Sequence, residues 1–496
     1  RTVRTARRSV CGDKVPWLQC GADRIYPESL MLWILRPAYN PWSTGGALAS
    51  QFSENRVSES PVKAETTQGH PGRPGKHVHF LLRLGPGLIT GAADDDPSGI
   101  TTYSQVGAQF GMAMLWTMLF SFPLMSAMQE ICARLGRITG AGIAENLRKN
   151  YPKPVLYGLV LLLCAANIFN LGADVTAMGA AAQLVFGGSL NAYVLVFGLL
   201  SLFLVVFVPY KKYVHYLKWL TLALFAYVAT AFVVHIPWKI ALRSTVVPAI
   251  SWTADYWMAL VAVLGTTISP YLFFWQTSEE AEDVRMSKQE SALKRRPEQA
   301  LAQFHRIGLD TWIGMGFSNL VAFFIILTTA VTLHAAGAGK GIETSADAAK
   351  ALQPLAGHFA FLLFALGIIG TGLLAVPVLA GSAAYAVAES FRWRASLECR
   401  PRQAPRFYAV LAAATIIGIA LNFLDMNPIR ALYWSAVING VVAVPLMVML
   451  MIMSANAAIV KEFSLPMHLR IVGWTATVVM LLASLAFIAS GIHKLL

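Results

Sequence analysis

The chain has 496 residues, 56% hydrophobic and only 13% charged, with a formal net charge of +13 and a mean hydropathy of +0.56. A soluble chain carries about a quarter charged residues, so a soluble enzyme and a soluble nucleic-acid-binding domain are both excluded. The apolar residues fall in long blocks, and a block of about 20 is enough to cross ~30 Å of hydrocarbon.

Residues 1–75 stand apart. They are rich in Arg, Ser, Gly and Pro, begin at Arg, and have no Met before Met31. Their one apolar patch, Ser29–Leu35, is too short to span and has no signal-peptide cleavage site. The segment reads as a disordered extension, or as residues upstream of the true start. The cysteines at 11, 20, 132, 164 and 399 form no C-x-x-C pair, which argues against a disulfide framework and a structural zinc site.

Eleven apolar blocks follow, near 80–105, 113–133, 155–178, 191–210, 215–236, 255–278, 308–333, 356–388, 406–424, 431–454 and 469–492. They are apolar all round, which excludes the alternating pattern of a β-barrel. Of the 27 Lys/Arg after residue 84, 21 lie in the loops after even-numbered blocks or in the first turn of the block that follows, and 6 on the opposite side with the C-terminal tail. By the positive-inside rule the N-terminus is cytoplasmic and the C-terminus outside. The charge sets orientation and implies no nucleic-acid partner. Trp238 and Trp252, near span ends, read as interfacial anchors.

The first block contains "GAADDDPSGITTYSQ", Gly91–Gln105. Carboxylates inside a bilayer are costly and mark ion or proton pathways. Pro97, followed by Ser98 and Gly99, interrupts the helix beside Asp94, Asp95 and Asp96. The sixth block has a counterpart in "GTTISPYLFFWQ", Gly265–Gln276, broken at Pro270. Proline frees backbone groups that must be satisfied by protein or by a water-lined cavity. Two interrupted helices five spans apart point to an inverted-repeat transporter with its site at the breaks. Because five is odd, the repeats run in opposite directions. Carboxylates with freed carbonyls suit a divalent cation such as Mg²⁺, Mn²⁺ or Ca²⁺. Pro123 and Pro445, with no charge beside them, read as kinks.

At the two breaks the chain resembles the Nramp family of divalent metal transporters. "GPGLITGAADDDPSGITTYSQVGAQFG" is similar to that family's first helix, with its Asp-Pro-Gly-Asn hallmark after Gly-Pro-Gly. "GTTISPYLFFWQ" stands where the family has Ala-x-x-Met-Pro-His, and Ala133–Gly140 ("ARLGRITG") matches the stretch after the second helix. The resemblance implies a leucine-transporter-type 5+5 inverted repeat with broken helices 1 and 6, in an all-α polytopic membrane protein of about 11 transmembrane helices. The repeats are expected at 76–236 and 237–454, with 455–496 as helix 11 and a short tail.

Carried over residue by residue, the resemblance keeps the metal-binding Asp as Asp96, replaces its Asn by Gly99, its Met by Ser269, and its Ala by Thr266. The expected metal set is Asp96, Ser269, the carbonyls near Thr266 and Ala93, and Asp95, with Gly99 and Tyr271 at family positions. Asn439 on block 10 falls near a family Gln that approaches the ion, although interhelical hydrogen bonding is its simpler role. A thioether favours softer metals, and Mg²⁺ keeps several waters, so Ser269 for Met predicts a harder, wetter site that favours Mg²⁺, with Mn²⁺ or Fe²⁺ as the alternative cargo.

The family's proton relay looks thinned. Two histidines of the sixth helix become Tyr271 and Gln276, and a Glu, Asp, Glu set on the third helix becomes Asn167, Asp174 and Ala177. The swaps predict import that is weakly coupled or uncoupled to protons, with Asp94, Asp174, Asn167 and Gln276 left as a possible proton or polar path; a proton-coupled Mn²⁺/Fe²⁺ symporter is the alternative. Asn170 shares the hydrogen-bonding reading. The acids of Ser278–Arg285 ("SEEAEDVR") are expected to pair with the Lys/Arg run after them. His215, His235, His334 and His358 show no ligand spacing.

An intramembrane aspartyl protease would need Tyr-Asp and Gly-x-Gly-Asp contexts, and neither is present. Three aspartates would repel an amino-acid carboxylate, and a sensor would need an output domain where little chain follows block 11. The expectation is a multi-pass transporter of the plasma (inner) membrane, with the cation as substrate, the lipid bilayer as surroundings, no cofactor and no enzymatic activity.

Overall fold

The structure, a computed structural model, describes residues 90–91, 93–208, 220–287, 290–337, 342–424 and 426–495. The chain divides into Arg1–Arg73 and Pro74–Leu496, and every described residue belongs to the second unit. The readings of residues 1–75 and of His215 lie outside the described residues.

The described elements are helical. In chain order the main helices are α1 (Pro97–Phe110), α2 (Trp116–Thr139), α3 (Ile143–Asn150), α4 (Lys153–Phe186), α5 (Leu190–Phe207), α6 (Phe225–Val233) and α7 (Trp238–Val246). They continue as α8 (Ala254–Thr267), α9 (Pro270–Met286), α10 (Ala300–Thr329), α11 (Ala360–Ser390), α12 (Pro405–Leu421), α13 (Pro428–Ala455) and α14 (Met467–Leu495). A single π-helical turn, Ala330–His334, extends α10, and His334 Nδ1 lies 2.9 Å from the Ala108 carbonyl at the end of α1.

Eight of these helices or joined pairs are long and apolar enough to cross a membrane, and nine if α1 and α2, bent by 110°, count as one. The count of eleven is therefore not reached among the described residues. The first block lies partly before residue 90, and the fifth begins within 209–219, leaving the short α6 as its described part. The eighth helix is also displaced, running over Ala360–Ser390 rather than 356–388.

Burial separates core from rim. The α8–α9 segment is 89% buried and α5 only 22%, so the helix with the second break is packed by protein and α5 presents most of its apolar surface outward. Helix α4 packs against α11, α12 and α13, while α8 packs against α13 and α14. Small residues permit the closest approaches, as in many membrane bundles. A Cβ on Gly265 would stand 2.1 Å from the Ala436 carbonyl, and one on Gly91 2.3 Å from the Gly314 backbone. Those two glycines draw α8 onto α13 and the start of helix 1 onto α10, which fixes where both breaks fall.

Candidate functional site

Each break is built by the same local device. Proline is favoured at the first position of a helix, where its missing N–H costs nothing, and both Pro97 and Pro270 open their half-helices. The preceding residues are extended, Asp96 at φ −70°, ψ 169° and Ser269 at φ −76°, ψ 127°. Before Asp96, residues 93 and 94 are helical and Asp95 is a bend. The chain thus stops, steps once and restarts, in the middle of buried protein.

The three aspartates are all at most 5% exposed, and they diverge. Asp96 Oδ1 accepts from the Gly99 amide at 2.7 Å and the Ser98 hydroxyl at 2.9 Å. Its Oδ2 faces the other way and accepts from Asn170 Nδ2 of α4 at 3.1 Å and from the Tyr271 hydroxyl of α9 at 3.4 Å. Asp94 and Asp95 turn toward α10, where the Ser318 hydroxyl lies 2.7 Å from Asp94 Oδ2 and 3.1 Å from Asp95 Oδ1. Divergence explains why no group of three or more His, Cys, Asp or Glu converges at metal-holding geometry among the described residues.

The second break meets the first through Tyr271, whose hydroxyl also lies 3.1 Å from the Ala93 carbonyl. One phenol therefore touches both oxygens that the sequence assigns to the cation, Asp96 Oδ2 and Ala93 O. The Ser269 hydroxyl donates to the Thr266 carbonyl at 2.7 Å and to the Gly265 carbonyl at 3.1 Å. In this conformation it satisfies the carbonyls that the break releases. The Thr266 hydroxyl borders Gly99, 3.0 Å from where a Cβ would stand.

Beside Asp96, both carboxylate oxygens of Asp174 and Asn170 Oδ1 have no hydrogen-bond partner; Asp94 Oδ1, Gln276 Nε2 and both amide atoms of Asn439 are likewise buried without one. Asp174 stands beside the Ser98 amide in the first turn of α1, outside hydrogen-bond geometry with it. Such orphans are rare in native interiors and mark places where water or an ion belongs. Gln276 Oε1 accepts from the Thr90 hydroxyl. Asn167, read from the sequence as part of a possible proton or polar path, bonds Leu379 O at 3.1 Å and Ser382 at 2.7 Å on α11. Ser318 was missed at the sequence level, because a lone Ser in an apolar helix carries no signal. Asn170 was seen there only as a helix-packing residue.

Among the described residues, Glu280 and Glu282 of Ser278–Arg285 find partners outside the Lys/Arg run that was expected to pair with them. Arg306 of α10 grips Glu280 at 2.7 and 2.9 Å, with Arg137 of α2 at 3.8 Å. Glu282 accepts from Tyr385 and Ser396 at 2.5 and 2.6 Å, and Arg285 reaches back to Glu145 at 3.0 Å. Helix α9 packs against α2 and α11, which brings these partners within reach. Among the described residues Cys132, Cys164 and Cys399 are free thiols.

A multi-pass helical membrane protein whose two broken helices touch at a buried, acidic break has the leucine-transporter class of inverted-repeat fold. The model of the family described as natural resistance-associated macrophage protein-like, Nramp, matches residues 87–490, and the chain belongs to that family. It is 25% identical over 452 residues, 89% of this chain and 96% of the other, to the divalent metal cation transporter MntH of Burkholderia ambifaria. Its fold is similar to that of the manganese transporter of Eremococcus coleocola, with a TM-score of 0.63 at 18% identity over 84% of this chain and 89% of that one. The nucleobase-cation-symport-1 transporter Mhp1 in a closed conformation is a more distant likeness, with a TM-score of 0.53 at 12% identity over 82% and 92%.

Proposed function

We propose that this chain carries a divalent metal cation across the plasma membrane by alternating access, with Mn²⁺ or Fe²⁺ as cargo and protons as the coupled ion. The observation that carries the reading is the seating of Asp96 at the first break, in contact with Tyr271 of the second. Asp96 Oδ2 and the Ala93 carbonyl share one hydroxyl, so a cation in that position would bridge the two half-helices. The repeats, 76–236 and 237–454, would then rock about it, with the N-terminus cytoplasmic.

The relatives, named as divalent metal cation transporters, and the manganese transporter support the transition-metal cargo over the Mg²⁺ preference that the ligand swaps predict. Carboxylate, carbonyl and water also suit Mn²⁺, so losing the thioether to Ser269 does not exclude it. Asp174, unpartnered and close to Asp96, is the group assigned to the proton. Mg²⁺ without proton coupling is the second reading, favoured by Ser269 at the thioether position and by Tyr271 and Gln276 at the histidine positions.

The test is uptake into proteoliposomes of Mn²⁺ and Mg²⁺, with internal pH recorded and Asp96→Asn as control. Mn²⁺ entry with acidification, lost in the variant, supports the first reading. Mg²⁺ entry without acidification would support the second, and entry of neither ion would sink both.

A further inference from the structure

Where the resemblance implies an asparagine on the first helix, this chain has Gly99. The surroundings of Gly99 are tight: a Cβ there would stand 3.0 Å from the Thr266 hydroxyl, 3.3 Å from Asp96 Oδ1 and 3.4 Å from the Asp94 carbonyl. A divalent ion at Asp96 therefore lacks one neutral oxygen ligand from helix 1.

We propose that Asn170, from α4, supplies that ligand. Its side chain is fully buried and already touches the metal-facing oxygen of Asp96, Nδ2 to Oδ2 at 3.1 Å. Its other end, Oδ1, has no partner. With no cation present the amide must present N–H to the carboxylate, because an ionised carboxylate only accepts. A cation on Oδ2 reverses the local field. The amide then turns about its last bond and offers Oδ1, at a cost lowered because Oδ1 gives up no other hydrogen bond.

Tyr271 fits the same exchange. The Asp96 carboxylate has four donors on about four lone-pair sites, so an entering ion must displace one of them. The Tyr271 hydroxyl, at 3.4 Å, is the longest of the four. It yields Oδ2 and the Ala93 carbonyl to an ion that binds oxygens at about 2.0–2.6 Å. The resulting ligand set is Asp96 Oδ2, Ala93 O and Asn170 Oδ1, completed by water.

This inference rests on the cargo site proposed above, and the experiment separates the two. Mn²⁺ binding to the purified full chain in nanodiscs would be measured by equilibrium dialysis for wild type, Asp96→Asn, Asn170→Leu and Asn170→Asp, with melting temperatures alongside. Asn170→Leu is expected to weaken Mn²⁺ binding about tenfold or more, the scale on which metal sites respond to a lost partner. Asn170→Asp, which keeps an oxygen in place, is expected to restore or exceed wild-type affinity.

A purely structural Asn170 would lower the melting temperature in both variants and leave the Mn²⁺ dissociation constant within twofold of wild type. That result, with binding still abolished by Asp96→Asn, overturns the inference and leaves the cargo site standing. If wild type and Asp96→Asn bind Mn²⁺ equally, the cargo site fails and this ligand with it. Asn170→Ala, which also removes the oxygen, is read in the same way should the Leu variant not fold.

Discussion

Ser318 on α10 places one hydroxyl 2.7 Å from Asp94 and 3.1 Å from Asp95. A hydroxyl has a single hydrogen to donate, so the pair of buried carboxylates shares one donor. The aspartate run is thereby divided, with two acids held by α10 and the third by α4 and α9.

Removing that donor should be costly. Ser318→Ala is expected to destabilise the protein by about 1–3 kcal/mol, the cost of stripping a buried acceptor of its partner. Adding Asp94→Asn should recover part of the loss, giving a non-additive double-mutant cycle. Thermal melts of the four proteins in one detergent check this; strict additivity would show that Ser318 and Asp94 do not act together.

Asp96 has two jobs that substitution can separate. It caps α1 through the Gly99 amide, a role worth about 1 kcal/mol, and it is the carboxylate proposed to face the cargo. Asp96→Asn keeps a capping oxygen and removes the charge, so uptake should vanish while the melting temperature stays close to wild type. Asp96→Ala should lose both. The paired uptake and melting measurements distinguish them.

Glu280 is buried between Arg306 and Arg137, and Arg137 is itself only 1% exposed. Breaking a buried pair by removing one partner leaves an uncompensated charge and costs about 3–5 kcal/mol. Arg306→Ala should approach that figure, because Arg137 at 3.8 Å is too far to replace the bidentate grip. Glu280→Gln in the same background should restore stability, as read by the midpoint of thermal unfolding.

Glu290, in the loop after α9, gives a pH dependence with a definite sign. Partial burial pushes its carboxyl up, but the hydrogen bond and charge of Arg137 pull it further down, and the net position is below the usual glutamate value. A depressed acid stabilises the fold above its unfolded value, about 4.3, and that contribution is lost as pH falls through the lower folded value. Amide hydrogen exchange in the loop 290–296 should therefore accelerate, beyond its intrinsic pH dependence, as pH falls below about 4. Glu290→Gln should open the loop at neutral pH and flatten the dependence.

The family and the two breaks were legible in the sequence because proline, glycine and intramembrane aspartate are rare enough to speak locally. Pro97 and Pro270 open their half-helices whatever packs around them, since a missing N–H and a restricted φ belong to the residue itself. Hydropathy likewise marked the spans. The direction of each aspartate was not legible. Three consecutive residues at a chain step divide two ways, and only the positions of Ser318, Asn170 and Tyr271, distant in sequence, decide which carboxylate meets which partner.

The same division holds at the far end of α9. Composition there suggested that neighbouring charges would pair, yet Glu280 finds Arg306 and Arg137, and Arg285 finds Glu145. The sequence by itself determined a membrane-spanning Nramp chain with an acidic break, because solvation by lipid and backbone covalent geometry act residue by residue. The tertiary structure decided what each polar group touches, because hydrogen bonds and ion pairs of a few ångströms depend on helix packing that no single segment encodes.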